Sequence, residues 1–439
     1  MSKPTIHVVG AGLAGTECAL QLAERGYQVH LYEMRPEQMT PAHKTNQCAE
    51  LVCSNSLGSS ADTQASGQLK WEMQRLGSFV LQSAYDNRVP AGQALSVDRE
   101  QFSKKLTDLV DGHKNITRVS KIVTSLSDIP RPTVIATGPL THASLAEDLC
   151  RHFEQKDFLY FYDAIAPVID AESINMDVCF KASRYGKGGD DYINCPLNKE
   201  EYFALIDAIK NAEMVKPKEF ENTNYFESCL PVEVMVERGP LTLAFGPCKP
   251  VGLDDPRTGR RPFAVVQLRQ ENKYATAYNI VGFQTKMTYP EQKRVFRLIP
   301  GLENAEFLKL GSLHRNLFIN SPKLLTKTLS SRRDPLLFFA GQITGVEGYF
   351  ESTCTGMLVA HFIDDLFSEG SMDRATSPRI PAPETALGAL LNAITEEKEN
   401  FQPTNINWGL FPPIANVKKQ ERKEAMVKRA RELAVNFAP

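Results

Sequence analysis

The sequence predicts an α/β fold whose parallel sheet is assembled from both ends of the chain, with an α+β region inserted between them. Three observations carry this reading. The chain opens on a short apolar run, Ile6-His7-Val8-Val9, that passes at once into Gly10-Ala11-Gly12-Leu13-Ala14-Gly15, the spacing G-x-G-x-x-G. A helical pattern and a second apolar run, Val29-His30-Leu31-Tyr32, follow and end on the acidic Glu33. Two further apolar runs that close on glycine, Thr133 to Gly138 and Leu336 to Gly341, flank a long middle segment of different character.

Each part of the opening unit has a physical task. Gly10 permits the tight turn after the strand, Gly12 lets the backbone approach a pyrophosphate, and Gly15 lets the helix pack close to the sheet. The start of the helix supplies oriented N–H groups to phosphates. Cys18, Ala19, Leu22 and Ala23 recur at helical spacing up to Gly26, a C-terminal cap. Glu33, about twenty residues beyond the glycines, is placed to accept a ribose hydroxyl. Strand, glycine loop, helix, strand and acid in that order make a Rossmann-type dinucleotide site; the competing reading is a turn that only looks right.

Downstream, the small and polar residues from Glu50 to Gly58 read as a loop near the cofactor. Gln68 to about Ala84 reads as a helix, and Asp98 as the N-cap of another. Thr133-Val134-Ile135-Ala136-Thr137-Gly138-Pro139 reads as a strand that returns beside the first, with Gly138 turning near the cofactor, as in flavoproteins with two dinucleotide folds. The middle mixes strands (Val265 to Leu268, Tyr278 to Phe283) with many Pro, Gly and Asn turns, an α+β insert. The fold resumes at Leu336-Leu337-Phe338-Phe339-Ala340-Gly341-Gln342, followed by a glycine turn and a small-residue helix from Ser352 to about Leu366. Its backbone N–H groups can face a phosphate or a flavin edge, and a plain βα unit is the alternative. The division expected is 1–165 for the first part of an FAD-binding domain, 166–325 for the insert, and 326–439 for the second part. Residues 371–384 read as a linker. The tail from Lys418 to Leu433 reads as a basic helix, either lying along phosphates or simply solvated.

Composition narrows the function classes. The chain has 439 residues, 42% hydrophobic and 23% charged, ordinary for a globular protein. No apolar run reaches the roughly 18 residues of a membrane span. The first strand follows so closely on Met1 that no secretion signal is expected. Nine cysteines without C-x-x-C fit free thiols in a reducing cytoplasm. A net charge of −2 leaves no global nucleic-acid footprint, so RNA binding has to come from local patches.

Several motifs in order then point to one family. They are G-A-G-L-A-G-T-E, L-Y-E-M-R-P, M-T-P-A-H, A-E-L-V-C-S-N-S-L-G, R-V-P-A-G, N-C-P, P-V-G-L, F-A-V-V-Q-L-R, V-G-F-Q-T, H-R-N and G-V-E-G-Y-F-E-S, with N-W-G-L near the end. The chain closely resembles the folate- and FAD-dependent RNA uracil-5-methyltransferases of the TrmFO family, and more broadly the longer GidA/MnmG enzymes. The resemblance implies that methylenetetrahydrofolate donates a one-carbon unit, that FAD carries it and supplies the reducing electrons, and that NAD(P)H reloads the flavin. It implies the T-loop uridine of tRNA as acceptor, with a ribosomal RNA uridine in a few relatives. It also implies that Gly10, Ala11, Gly12, Leu13, Ala14, Gly15, Glu33, Gly341, Gln342 and Tyr349 hold the cofactor, Tyr349 by stacking on the flavin ring.

The chemistry needs a thiolate that adds at C6 of uracil, so that C5 becomes nucleophilic, and a second group that removes the C5 proton. The resemblance implies Cys229, in Glu227-Ser228-Cys229-Leu230, as nucleophile and Cys53, in Val52-Cys53-Ser54-Asn55, as the proton-removing partner. From the residues alone, Cys53 is unusual for a packing thiol because its neighbours are Ser, Asn and Gly; buried packing remains the alternative for both. Cys18, Cys48, Cys150, Cys179, Cys195, Cys248 and Cys354 show no ligand spacing and read as packing or incidental residues, with no metal site. His43 and His314 read as polar-loop histidines of unseparated role. Lys44, Lys249, Arg269 and Arg315 are candidate phosphate contacts. No second G-x-G-x-x-G follows a strand, so NAD(P)H is expected to dock transiently at the flavin. No stable protein partner is inferred. A plain NAD(P)H:flavin oxidoreductase and a non-catalytic RNA-folding partner are the competing functions.

Overall fold

The computed structural model describes residues 3–155, 159–215, 230–368, 378–399, 401–415, 417–418 and 420–437. A five-stranded sheet carries the architecture, in the spatial order Leu337–Phe339, Thr133–Ile135, Ile6–Val9, Val29–Glu33, Ile116–Ser120. Every pairing in it is parallel, with Val8 opposite both Leu31 and Val134, and Phe338 opposite Val134. These strands are buried on both faces, which explains why they read as unbroken apolar runs. In chain order the sheet runs 5-4-1-2-3, the doubly wound arrangement. Its connection direction therefore reverses between Ile6–Val9 and Thr133–Ile135, and a crevice opens beyond their carboxyl ends.

The helix Leu13–Glu24 lies on this sheet with every residue from Leu13 to Ala23 buried, because a second helix, Tyr349–Phe367, covers its other side. The two approach so closely that a Cβ on Gly356 would stand 2.2 Å from the Ala14 carbonyl oxygen. Gly26 takes φ +84° and donates to Ala23 O, the expected stop. Buried carboxylates tie the surrounding helices together. Glu17 accepts from Val80 N–H (2.8 Å) and Ser78 Oγ (3.0 Å) at the start of Phe79–Asp86. Glu72 accepts from Ala386 N–H (2.8 Å) and Leu387 N–H (2.9 Å) at the start of Ala386–Thr395. Each places carboxyl acceptors where a helix presents unpaired N–H groups, while burial raises the pKa of both, that of Glu72 to about 7.

A second sheet is antiparallel throughout, in the order Phe180–Lys181, Tyr192–Leu197, Ala264–Gln270, Ala277–Ile280, Val168–Asp170, Phe307–Lys309. The helices Lys199–Lys210, Val232–Glu237 and Tyr289–Phe296 contribute to its separate core, in which Tyr202, Phe283 and Phe296 are fully buried. Asn198 and Glu201 form a reciprocal capping box at the first of these helices. The paired strands Leu159–Ala164 and Leu313–Phe318 lead into and out of this sheet.

Some elements differ from the sequence reading. The single helix expected over Gln68 to Ala84 is two, Ala65–Arg75 and Phe79–Asp86. Gly77 at φ +71° ends the first, and Ser78 Oγ accepts from Leu81 N–H to start the second, so a stop and a cap sit side by side. The strand from Thr133 ends at Ile135, and Gly138–Leu140 forms a 3₁₀ turn. The helix expected from Ser352 begins at Tyr349. Asp98 does cap the helix Arg99–Gly112, accepting from Gln101 N–H at 3.1 Å. The basic tail is helical from Arg422 to Ala434, but part of its charge is used within the fold. Arg431 pairs with Asp62 at 2.8 Å and lies 5.0 Å over the Trp71 ring. Of the linker over 371–384, residues 371–377 lie outside the described residues.

The helix crossing yields a stability prediction. In Gly356→Ala the new methyl meets backbone rather than a movable side chain, so the helices must separate. Urea unfolding is expected to show a loss of about 1–3 kcal/mol; an unchanged midpoint would mean that the crossing tolerates the methyl.

Candidate active site

The crevice at the reversal point is a real cleft. About 1030 Å³ of empty space is lined by Gly10, Gly12, Leu13, Ala14, Glu33, Arg35, His43, Thr137, Gly138, Gly341, Gln342 and Tyr349, among others. The three motif glycines do different work. Gly10 takes φ +102°, and a Cβ there would lie 2.5 Å from Ala136 O. A Cβ on Gly15 would lie 1.8 Å from Gly10 O. Gly12 has an ordinary φ of −71° and nothing within 4 Å of where its Cβ would be, so the space above it is open. No side chain caps the helix that begins there. An open glycine at an uncapped helix start is the donor set a pyrophosphate requires.

Glu33 is buried and anchored at both oxygens. Oε2 accepts from Ala11 N–H at 2.9 Å, and Oε1 accepts from Arg35 Nε at 2.8 Å and Arg35 N–H at 3.1 Å. Burial works against its charge, but the Arg35 contacts and the Ala11 N–H outweigh it and hold the carboxyl below its ordinary range. A carboxylate has about four lone-pair positions, so one remains for a ribose hydroxyl. Arg35 itself reaches Glu50 at 3.1 Å and the carbonyls of Thr45 and Gln47. His43 bonds through Nδ1 to Thr40 Oγ1 at 2.6 Å, and burial, then the nearby Arg35 guanidinium, depress its pKa to about 4. The residues present fit the dinucleotide half of FAD.

At the far end the cleft meets a second cavity of about 1250 Å³, with Val52, Pro139, Leu140, Gln342 and Tyr349 common to both. Cys53, Ser54, Lys70, Glu347 and Glu351 line this second space. The Tyr349 phenol oxygen accepts from the Cys53 backbone N–H at 2.9 Å, so the expected flavin-stacking residue is tied to the backbone of the loop that carries the expected reactive thiol. Gln342 Nε2 donates to Glu347 at 2.7 Å. Gly341, at φ +83°, gives its N–H to Thr355 Oγ1 at 2.7 Å, so this amide serves the turn and does not face a ligand. Cys229 lies outside the described residues.

Charged residues from other parts of the chain grip the loop that carries Cys53. Arg99 donates to Leu51 O (2.8 Å) and Cys53 O (2.9 Å) and pairs with Glu271 at 2.5 Å. Lys309 Nζ donates to Val52 O at 3.0 Å, and Arg269 Nη2 to Ser54 Oγ at 2.6 Å. Asn55 Nδ2 donates to Val97 O and Gln270 O. Burial, reinforced by Arg99 and Lys44, lowers the Lys309 pKa to about 8. Lys70 is also buried, with Nζ 2.9 Å from Ser59 O and 4.9 Å above the Phe350 ring; burial, opposed by Glu351, brings it to about 8.

The structure thus gathers Gly10, Gly12, Leu13, Ala14, Glu33, Gly341, Gln342, Tyr349 and Cys53 around two joined spaces, whereas Ala11 serves Glu33 through its N–H and Gly15 packs against Gly10. Arg269, read as a phosphate contact, instead braces the Cys53 loop, while Lys44 and Lys249 are exposed. Arg35, Lys70, Arg99, Glu271 and Lys309 escaped the sequence reading because no local pattern sets them apart from surface charges; Arg99, in Asp98-Arg99-Glu100, reads as an ordinary helix start. Only its position between apolar Leu69 and Trp71 in a helix marks Lys70 as unusual. Cys179 and Cys195, read as unrelated, place their sulfurs 3.5 Å apart in the core of the second sheet. No cluster of metal-ligating side chains occurs among the described residues, and no helix among them is long and apolar enough to cross a membrane.

Residues 5–370 match the family described as glucose inhibited division protein A. The chain is 61% identical over 438 residues to methylenetetrahydrofolate–tRNA-(uracil-5-)-methyltransferase TrmFO of Bdellovibrio bacteriovorus, covering 99% of this chain and 98% of that one. It is 53% identical over 432 residues to the protein of the same name from Aquifex aeolicus, covering 98% and 95%. Among solved structures, Aquifex aeolicus GidA in its form II crystal is similar with a TM-score of 0.67 at 14% identity, covering 99% of this chain and 74% of that one. At that identity the likeness speaks for the fold.

Gly12 offers a way to separate ligand binding from folding. Because Gly12→Ala adds a methyl to open space at a permitted φ, stability is expected to stay within about 0.5 kcal/mol of the parent. The ratio of flavin to protein absorbance after purification should fall; full flavin retention would place the pyrophosphate elsewhere.

Proposed function

The chain belongs to the glucose inhibited division protein A family and, among its members, to the methylenetetrahydrofolate–tRNA-(uracil-5-)-methyltransferases TrmFO, and from that membership we propose that it methylates C5 of the T-loop uridine of tRNA with NAD(P)H as reductant. The enzyme is a folate-dependent tRNA uracil-5-methyltransferase on a flavoprotein fold. The observation that carries the finer reading is the junction of the two cavities, where Cys53 and Tyr349 share a hydrogen bond beside Gln342. A flavin whose pyrophosphate were held at Gly12 and whose ribose were held at Glu33 would have this junction as the continuation of its cleft.

In this reading the Gly10 to Gly15 loop would hold the pyrophosphate, Glu33 would orient the ribose, and Tyr349 would hold the flavin ring. When bound, FAD supplies the electrons that reduce the one-carbon unit to a methyl group. Everything else falls to the protein. Cys229 adds its sulfur to C6 of uracil, which makes C5 nucleophilic toward the incoming carbon. Once C5 has formed its new bond, the Cys53 thiolate takes the C5 proton and becomes a thiol. The C6–S bond then breaks as the ring recovers its C5–C6 double bond. The apolar walls of the second cavity exclude water from these steps. Cytoplasmic tRNA is the acceptor, and no resident nicotinamide site is required.

The direct test is transfer of label from the methylene carbon of methylenetetrahydrofolate to transcribed, unmodified tRNA with FAD and NADPH present. Label in the T-loop uridine is the expected result. Label only in ribosomal RNA would keep the chemistry and move the acceptor; NADPH oxidation without label in any RNA would leave a plain flavin oxidoreductase. Cys229→Ala and Cys53→Ala are each expected to retain FAD and to lose turnover by at least about a hundredfold. Full activity in either would remove that residue from the mechanism.

A further inference from the structure

The loop Leu51–Ser54 is held in an unusual way, by cations on its own backbone and hydroxyl. Arg99 takes the carbonyls of Leu51 and Cys53, Lys309 takes that of Val52, and Arg269 takes Ser54 Oγ. All three interact electrostatically with Cys53. One carboxylate, Glu271, faces them; it pairs with Arg99 and also feels Arg269. The other titratable groups packed here are the Tyr349 phenol, which accepts from Cys53 N–H, Tyr192, which faces Arg269, and Lys44 and His43, which both interact with Lys309. Three cations against one carboxylate leave a surplus of positive charge around a partly buried thiol. Arg269 Nε is buried without a hydrogen-bond acceptor, so its charge is not fully met by the protein.

We propose that Lys309 and Arg269, both carried by the antiparallel sheet, are positioning residues that with Arg99 keep the Cys53 thiol ionised at neutral pH. The assignment rests on Cys53 being the group that removes the C5 proton, a task only the thiolate can perform. It makes the antiparallel sheet part of the activation of a thiol that belongs to the other sheet's loop. A thiolate is favoured when cations lie near it and disfavoured by apolar burial, and here the cations are supplied from strands far away in the chain. Burial lowers the Lys309 pKa to about 8, so the cation predominates at pH 7 and is lost as pH rises through that value.

The test is alkylation of the FAD-loaded protein by iodoacetamide as a function of pH, with Cys53 followed by peptide mass spectrometry among the nine cysteines. The wild-type rate is expected to rise with a midpoint well below the ordinary thiol value of about 8.5. Lys309→Met and Arg269→Gln should each move the midpoint upward and slow alkylation at neutral pH by about tenfold, while Lys309→Arg should keep the parent profile. A wild-type midpoint at or above the ordinary value overturns the proposal, and that measurement stands even where a variant fails to fold. Unchanged midpoints in folded, flavin-bearing variants overturn it as well. A low midpoint combined with full methylation by Cys53→Ala would leave the cationic cradle standing and remove instead the catalytic role of Cys53.

Discussion

The ion pair between Arg99 and Glu271 is the contact on which the site depends. Arg99 begins the helix that Asp98 caps, and Glu271 follows directly on the strand Ala264–Gln270 of the antiparallel sheet. Glu271 is buried, so loss of either partner would leave an uncompensated charge, a defect that costs several kcal/mol in protein interiors. The fork of the guanidinium has donors to spare, and they reach the Leu51 and Cys53 carbonyls. Arg99 therefore ties the antiparallel sheet to the Cys53 loop, alongside the Lys309, Arg269 and Asn55 contacts.

The same logic explains why the dinucleotide end is built on Glu33 and Arg35. A lone buried carboxylate would tend to take up a proton. With Arg35 and Ala11 N–H on its oxygens, Glu33 stays charged while still facing the cleft. Arg35 in turn orders the segment to Glu50 through two carbonyls and a carboxylate, and the next residues are the Cys53 loop. Charge-assisted hydrogen bonds thus run from Glu33 through Arg35 to Glu50, and the backbone continues from there directly into the Cys53 loop.

Tyr349 closes the arrangement from the opposite side. It is the first residue of a long helix whose next turns pack on the helix that starts at Leu13. The ring therefore sits at a fixed distance from the glycine loop, and its hydroxyl holds Cys53 N–H. Glycine at 356 is what allows that crossing, so a residue without chemistry governs where Tyr349 meets the Cys53 loop.

The sequence alone determined the local units: the glycine turn with its flanking strands, the acid at Glu33, the Asp98 cap, and the candidacy of Cys53 in a loop too polar for packing. Those features are legible because turn chemistry and burial period are written in neighbouring residues. It misjudged the join at Gly77 and Ser78, where helix-favouring residues on both sides hide a stop and a cap. What only the tertiary structure decided is the order of strands, which puts the crevice between Val9 and Ile135, and the convergence of Arg99, Arg269, Glu271 and Lys309 on one loop. Lys309 and Val52 are 257 residues apart in the chain, yet they touch. No local pattern records such a meeting, because a single charge on a strand reads the same whether it faces water or a carbonyl; the topology supplies the partner.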